Sequence, residues 1–183
     1  VTENTPMKEA ESPNARTKQI GEFILQDYTK ANRDFSAVAL RYFNPAGAHE
    51  SAKMGESPTN NASNLVPVIT APAAGNREKV VVFGNDYDTR DGSCTRDYIH
   101  VMDLANAHTK ALQYLIANRN EDNYEVFNLG IGEGASVLEV IHAFEKVADQ
   151  SLNYEIGPRR AGDVIAIYAN KEHATKRLNW QPT

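Results

Sequence analysis

Apolar residues recur along the chain at two spacings, one typical of helices and one typical of strands. Residues 12–31 carry an apolar face with the helical period of about 3.6 residues, after a Ser-Pro pair that suits a helix start. Residues 36–43 form a nearly continuous apolar run that Asn44-Pro45 ends, which predicts a buried strand. A helix that leads directly into a strand is typical of α/β folds. The apolar helical face consists of Ile20, Phe23, Ile24 and Tyr28.

The same alternation continues to the end of the chain. The clearest unit is residues 97–118, where a strand through Ile99 and Val101 precedes an amphipathic helix that Asp103 is expected to cap. Ser136 and Glu139 have the spacing of a capping box, which predicts a further helix start. The other predicted elements are helices 64–74 and 170–178, and strands 79–83, 124–129 and 152–156.

Composition narrows the class of protein. The chain has 183 residues and a formal charge of -5, which argues against binding to nucleic acids or to anionic membrane surfaces. No apolar run approaches the roughly 18 residues of a membrane-spanning helix. Its single cysteine, Cys94, excludes an internal disulfide and fits a reducing, cytoplasmic compartment. Because residues 1–13 are polar and follow no strand, we expect the chain to be the later part of a longer protein.

Two arginines and one aspartate are the leading candidates for a binding site. Arg96 and Arg160 each lie just outside a predicted strand, and Asp163 follows in the second of these loops. A planar guanidinium suits a phosphate, so two of them could converge on a pyrophosphate while Asp163 accepts hydrogen bonds from a sugar hydroxyl. The alternative is that all three residues form ordinary surface ion pairs.

A glycine-rich turn offers a second candidate. Gly130-x-Gly132-x-x-Ala135 follows a predicted strand and precedes a helix, with Glu155 about twenty residues later, as in a dinucleotide-binding fingerprint. Too few residues follow for the remaining strand–helix units of a complete Rossmann sheet. A structural strand-to-helix turn is therefore the preferred interpretation.

The other reactive side chains show no pattern that predicts chemistry. The histidines have no metal-ligand spacing, and no Gly-x-Ser-x-Gly motif is present. Lys18 lies on the first predicted helix, where it is either a catalytic cation or a solvated side chain.

Taken together in this order, several short runs resemble a known family. The runs are residues 41–49, 64–67, 82–87, 91–92, 96–103, 128–130 and 158–163. They are similar to the UDP-glucose 4-epimerases (UDP-galactose 4-epimerases), which are extended short-chain dehydrogenase/reductases. The resemblance covers almost the whole chain but only the C-terminal half of the usual enzyme.

The resemblance implies a fold and a division into domains. The fold would be α/β, with the edge of a Rossmann-like parallel sheet, a smaller α/β substrate-binding domain, and the N-terminal NAD-binding half absent. Residues 1–44 and 96–118 would be the remnant of the Rossmann domain. Residues 45–95 and 119–183 would bind the UDP-sugar.

The family reaction implies roles for the first helix. NAD accepts a hydride from C4 of UDP-glucose or UDP-galactose and returns it to the other face, while a Tyr-x-x-x-Lys pair supplies the base. Lys18 would be that lysine and would also contact the cofactor ribose, but Asn14 occupies the tyrosine position. An amide has no proton to exchange at neutral pH, and Tyr28 lies about 21 Å farther along the helix. The chain alone is therefore expected to be inactive. Because the resemblance does not include the N-terminal half with the Gly-rich NAD fingerprint, the chain is also expected to bind NAD very poorly.

The resemblance also implies contacts with the substrate and with a second subunit. Phe43 would contact the nicotinamide side, and Ile167 would face the sugar. The helix that carries Lys18 would pair across a homodimer. The alternatives are a non-catalytic UDP-sugar-binding protein and another nucleotide-sugar enzyme of the same superfamily. The implied substrate-binding residues are Asn44, Asn64, Leu65, Val81, Val82, Phe83, Arg96, Arg160, Asp163 and Ile167.

Overall fold

The computed structural model describes residues 1–59 and 62–183, in which helices alternate with short strands as predicted. The helices are α1 (Pro13–Ala31), α2 (Leu65–Ala73), α3 (Val101–Ile116), α4 (Val137–Ala148) and α5 (Glu172–Leu178). The strands are β1 (Ala37–Tyr42), β2 (Asn44–Ala46), β3 (Val80–Phe83), β4 (Thr95–Arg96), β5 (Tyr98–His100), β6 (Tyr124–Leu129), β7 (Ala135–Ser136), β8 (Tyr154–Gly157) and β9 (Ala166–Ile167).

One hydrophobic core forms around the parallel pair of β1 and β6, whose register runs from Ala37 opposite Tyr124 to Tyr42 opposite Leu129. Parallel neighbours require a crossover connection, and α3 and α5 pack against this pair. Large side chains at the centre of the core are fully buried. Burying each of them contributes about 1.5–3 kcal/mol to the free energy of folding. They include Ile99, Tyr114, Phe127, Leu129, Leu178 and Trp180.

A second core forms around the parallel pair of β3 and β8, with α2 and α4 packed beside it. Ser136 and Glu139 make the predicted capping box at the start of α4, so this prediction is confirmed. Pro67 lies in the first turn of α2, where a missing N–H is tolerated. The buried members of this core are Ile69, Val80, Val82, Ile141 and Leu152.

Short strands connect the two cores. β2 pairs with β5 in parallel, and β4 pairs with β7 in the antiparallel sense and with β9 in parallel. The β4–β9 register places Arg96 opposite Ile167. The fold is thus mixed α/β with parallel strand pairs, as the sequence predicts.

The start of α3 corrects one sequence-based prediction. The helix begins at Val101, so Val101 is not in the strand and Asp103 is not the cap. His100 takes that role, because its Nδ1 accepts a hydrogen bond from the N–H of Met102 at 3.2 Å. Asp103 is buried in the first turn, where its carboxylate accepts hydrogen bonds from the N–H and hydroxyl of Thr183.

Two searches of the described residues were negative. No helix in 1–59 or 62–183 is both long and apolar enough to cross a membrane. Across the same residues, no group of three or more His, Cys, Asp or Glu side chains is arranged to hold a metal ion.

Candidate functional site

Two hollows flank Asn44, which lines both of them. The smaller hollow has a volume of about 440 Å³ and lies where β4, the start of α2 and the loop after β8 meet. The larger hollow has a volume of about 910 Å³ and lies between α1, β1 and the first residues of the chain. Asn44 opens β2 one residue after β1 ends, and this position lies between the two hollows.

Arg96 is held rigidly at the edge of the smaller hollow. Its Nη1 donates to the carbonyl oxygens of Thr95 at 2.9 Å and Val164 at 2.5 Å. Its Nη2 approaches Oδ1 of Asp163 at 3.4 Å, and the side chain is only 17% exposed. A guanidinium fixed by backbone acceptors needs little ordering when an anion binds, which favours affinity.

Arg160 reaches the same carboxylate from the other side. Its Nη2 donates to Oδ1 of Asp163 at 2.8 Å, and this hydrogen bond raises the pKa of Arg160. The guanidinium is 58% exposed and lies over the ring of Phe83, 5.5 Å from its centre. The structure therefore brings Arg96, Arg160 and Asp163 into one cluster, and within the described residues Nε and Nη1 of Arg160 donate no hydrogen bond.

The start of α2 adds a polar backbone to the smaller hollow. Asn64 is its N-cap residue, but the amide donates to Glu56 at 2.6 Å, and within the described residues the side chain makes no capping hydrogen bond. Leu65 follows as the first helical residue. The first turn of α2 carries no acidic side chain, so its N–H groups and helix dipole favour an anion nearby.

The remaining wall of the smaller hollow is largely apolar. Val81 and Phe83 line it, whereas the side chain of Val82 is buried in the second core and does not line it within the described chain. Arg77 and Tyr98 also line the hollow, although the sequence analysis did not select them. Burial raises the pKa of Tyr98 to about 12, so its hydroxyl stays protonated over the physiological range.

The larger hollow collects the residues expected at the reactive end of a substrate. Lys18, Phe43 and Ile167 all line it. Asn14 is exposed in the first turn of α1, one turn before Lys18. Its backbone carbonyl oxygen accepts a hydrogen bond from the hydroxyl of Thr17 at 2.7 Å. The hollow therefore has a cation and an aromatic ring, with an amide at the position four residues before the cation.

An ion pair fixes α1 against β1 beside the larger hollow. Arg41 donates from Nε and Nη2 to the two carboxylate oxygens of Glu22, at 2.7 and 2.6 Å. The hydroxyl of Tyr124 donates to the same carboxylate at 3.1 Å. The hydrogen bond from Arg41 lowers the pKa of Glu22. Sequence spacing gives no sign of this pair, because Glu22 and Arg41 lie on different elements.

The glycine turn after β6 is occupied by the protein itself. The N–H groups of Ile131 and Gly132 donate to the carboxylate of Asp97, at 2.8 and 3.1 Å. The next helix, α4, begins only at Val137. A phosphate would have to displace a buried carboxylate here, so the structure supports the strand-to-helix turn and not the dinucleotide fingerprint.

Comparison with known proteins assigns the chain to a family. The sequence profile of the family described as GDP-mannose 4,6 dehydratase matches residues 1–183, which is the whole chain. The chain belongs to this family. Its relatives include the UDP-glucose 4-epimerase of Erwinia amylovora, 50% identical over 179 residues that make up 98% of this chain and 52% of that protein. The UDP-glucose 4-epimerase of Drosophila melanogaster is 44% identical over 181 residues, 99% of this chain and 51% of that protein.

Solved structures agree with this assignment. The chain superimposes on a UDP-glucose-4-epimerase from Stenotrophomonas maltophila with bound NAD and formylated UDP-arabinopyranose, with a TM-score of 0.95 and 44% identity. The Bifidobacterium longum UDP-glucose 4-epimerase in complex with NAD+ and UDP gives a TM-score of 0.92 and 44% identity. All of this chain is covered, but only 53% of each of those chains. The predicted resemblance to UDP-glucose 4-epimerases is confirmed, and this chain spans about half the length of the relatives it matches.

Proposed function

We propose that this chain is the UDP-sugar-binding portion of a UDP-glucose 4-epimerase-like protein. The observation that carries the proposal is the meeting of Arg96 and Arg160 on one carboxylate, Asp163, at the wall of the smaller hollow. Two guanidinium groups at one edge of a hollow suit a diphosphate, because each offers planar, charged donors to phosphate oxygens. The relative from Bifidobacterium longum, whose structure contains UDP, supports this ligand class.

The uridine end of the ligand would lie in the smaller hollow. Its diphosphate would contact Arg96, Arg160 and the N–H groups at the start of α2, beside Asn64 and Leu65. Val81 and Phe83 provide apolar surface for the base, with Val82 contributing backbone only. Asp163 would turn from its arginines to accept hydrogen bonds from a hydroxyl of the ligand.

The sugar would extend past Asn44 into the larger hollow. There Ile167 would face the hexose, Phe43 would contact the nicotinamide side of NAD, and Lys18 would contact the cofactor ribose. NAD, if bound there, would supply the hydride chemistry at C4 by which UDP-glucose and UDP-galactose interconvert in the full-length family. Asn14 cannot accept the proton that must leave the sugar hydroxyl, because an amide is not a base at neutral pH.

The loss of the base favours a second candidate function, a protein that binds UDP-sugars without turning them over. Both candidates share the smaller hollow and differ only in catalysis. Because Asn14 stands at the position of the base, we predict that the chain alone does not interconvert UDP-hexoses.

The division into domains and the dimer are part of the same proposal. Residues 1–44 and 96–118 would belong to the Rossmann portion, and residues 45–95 and 119–183 to the UDP-sugar-binding portion. α1 would pair with its copy in a homodimer, because Phe23 and Ile24 on its apolar face are 50% and 61% exposed. An exposed apolar face of this kind favours association.

Titration calorimetry of the chain with UDP, and with UMP for comparison, tests the proposal. We expect UDP to bind at least about tenfold more tightly than UMP, since the second phosphate adds charge-assisted hydrogen bonds worth about 1.5–3 kcal/mol. A coupled assay with UDP-galactose and NAD should show no turnover. Equal or absent binding of UDP and UMP would refute the diphosphate site, and turnover would refute the assignment of Asn14 as an inactivating residue.

A further inference from the structure

Asp97 is a fully buried carboxylate that the reaction described above does not use. Its relative exposure is 0%, and its oxygens accept three backbone hydrogen bonds. Oδ1 accepts from Ile131 at 2.8 Å, and Oδ2 accepts from Gly132 at 3.1 Å and from Ala169 at 3.0 Å. One side chain on the β4–β5 segment thus fixes the turn after β6 and the segment after β9.

The segment after β9 that the carboxylate fixes, and the backbone of Asp97 itself, both lead to the candidate site. Its own carbonyl oxygen accepts from the N–H of Asn44 at 2.9 Å, and Asn44 lines both hollows. Arg96 precedes it in the chain. Ala169 lies two residues after Ile167, which faces Arg96 in the β4–β9 pairing.

Gly130 and Ala169 lie close against the carboxylate of Asp97. A Cβ added at Gly130 would lie 2.3 Å from Oδ2 of Asp97 and 2.8 Å from Cβ of Ala169. The glycine is therefore required by close approach of the carboxylate. An amide in place of this carboxylate would have only one acceptor oxygen, and its NH₂ group would face a backbone N–H.

We propose that Asp97 is a positioning residue for the nucleotide-sugar site. It holds Arg96, Asn44 and the Ile167 segment in the arrangement that a diphosphate-linked sugar requires, without touching the ligand. The inference rests on the proposed function, because it concerns the ligand of the same hollows. Misplacing a functional group by about 1 Å can lower a reaction rate about a hundredfold. A residue that keeps Arg96 and its neighbours in position would therefore matter for this site.

The variant D97N, with D103N as its matched control, tests this role. Both positions are buried carboxylates that accept backbone N–H groups, but Asp103 binds Thr183 near the C-terminal end and lines neither hollow within the described chain. We expect both variants to lose stability in urea. UDP affinity, measured below the unfolding transition, should fall about tenfold or more in D97N and less than about twofold in D103N.

Two further measurements protect the test from a variant that does not fold. The variant G130A places a methyl group too close to Oδ2 of Asp97 and should therefore also weaken the binding of UDP. In the unaltered chain, UDP should slow hydrogen exchange at the amides of Ile131, Gly132 and Ala169. If the hydrogen bonds of Asp97 strengthen UDP binding, then bound UDP must strengthen those hydrogen bonds in turn, because coupling is reciprocal.

The outcomes separate the inference from the proposed function. If the unaltered chain does not bind UDP, the proposed function fails. If it binds UDP but exchange at the three amides is unchanged, or D97N and D103N bind alike, the positioning role is overturned while the diphosphate site stands.

Discussion

The smaller and the larger hollow differ in how much of a working site this chain supplies. In the smaller hollow, Arg96 is 17% exposed and Asp163 is 11% exposed, and both are tied by hydrogen bonds to their neighbours. In the larger hollow, Lys18 lies on the exposed surface of α1, whereas Asn14, exposed one turn earlier, does not line the hollow within the described chain. Arg96 and Asp163 are thus in place before a ligand arrives, whereas Lys18, the cation expected at the reactive end, is open to solvent. The fixed Arg41–Glu22 ion pair of the larger hollow belongs to the α1–β1 contact.

This contrast separates recognition from chemistry. Binding of a diphosphate requires fixed positive groups, and this chain positions them through β4, α2 and the loop after β8. Proton transfer requires a base at the reacting hydroxyl, and an amide stands where the family pattern implies a phenol. We therefore expect changes in the smaller hollow to affect ligand binding strongly and changes in the larger hollow to affect it weakly.

The largest expected effect comes from removing the exposed arginine of the smaller hollow. Arg160→Ala should weaken UDP binding by about ten- to a hundredfold, since a hydrogen bond to a charged group contributes about 1.5–3 kcal/mol. Arg160→Lys should recover only part of this loss, because an ammonium lacks the planar pair of donors. Titration calorimetry measures both.

The neighbouring arginine is the control for this variant. Arg159 pairs with Asp86 at 2.7 Å and lies over the ring of Tyr87, 4.2 Å from its centre. It is not among the described residues that line the smaller hollow. Arg159→Ala should therefore leave UDP affinity within about twofold of the unaltered chain. Equal losses in the two variants would show that general positive charge, and not the cluster on Asp163, attracts UDP.

The next effect concerns the apolar face of α1 beside the larger hollow. If that face pairs two copies, Phe23→Glu should raise the dimer dissociation constant at least about tenfold, because burying an aromatic side chain contributes about 1.5–3 kcal/mol. Ile116→Glu is the control, since Ile116 is 71% exposed on α3. Sedimentation or light scattering over a range of concentrations measures the shift. A chain that stays monomeric at every concentration would rule out the homodimer.

The sequence predicts the elements because they depend on local signals: the helical periods and the capping box at Ser136 can be read from neighbouring residues. Arg96 and Arg160 are selected by residue type and by their positions near predicted strand ends, although Arg96 lies in β4 and its contact with Asp163 spans 67 residues. The role of Asp97 cannot be read from neighbouring residues, because its hydrogen-bond partners lie 34 to 72 residues away in the chain. Asp103 was mistaken for a cap for a related reason: its partner, Thr183, is 80 residues away.

A smaller effect should appear in the stability of the α1–β1 contact. Arg41 lowers the pKa of Glu22 through a hydrogen bond, so the ion pair stabilises the fold above the ordinary pKa of a glutamate. This stabilisation is lost as the pH falls through the lowered pKa. Glu22→Gln should therefore cost about 1 kcal/mol of unfolding free energy at neutral pH and progressively less in acid. Urea unfolding over the acid range measures it, and a constant difference at all pH values would contradict an ionic origin.

The smallest effect is expected at Lys18, and it tests the contrast between the hollows most directly. Lys18 lines the larger hollow, whereas the arginine cluster lies in the smaller one beyond Asn44. Since alanine is at least as good a helix former as lysine, Lys18→Ala should not disturb α1. UDP lacks the hexose that would extend into the larger hollow, so its affinity should change by less than about twofold at moderate salt, where distant charges are screened. A loss as large as that of Arg160→Ala would mean that the two hollows form one site for the diphosphate, and the separation of recognition from chemistry would not hold.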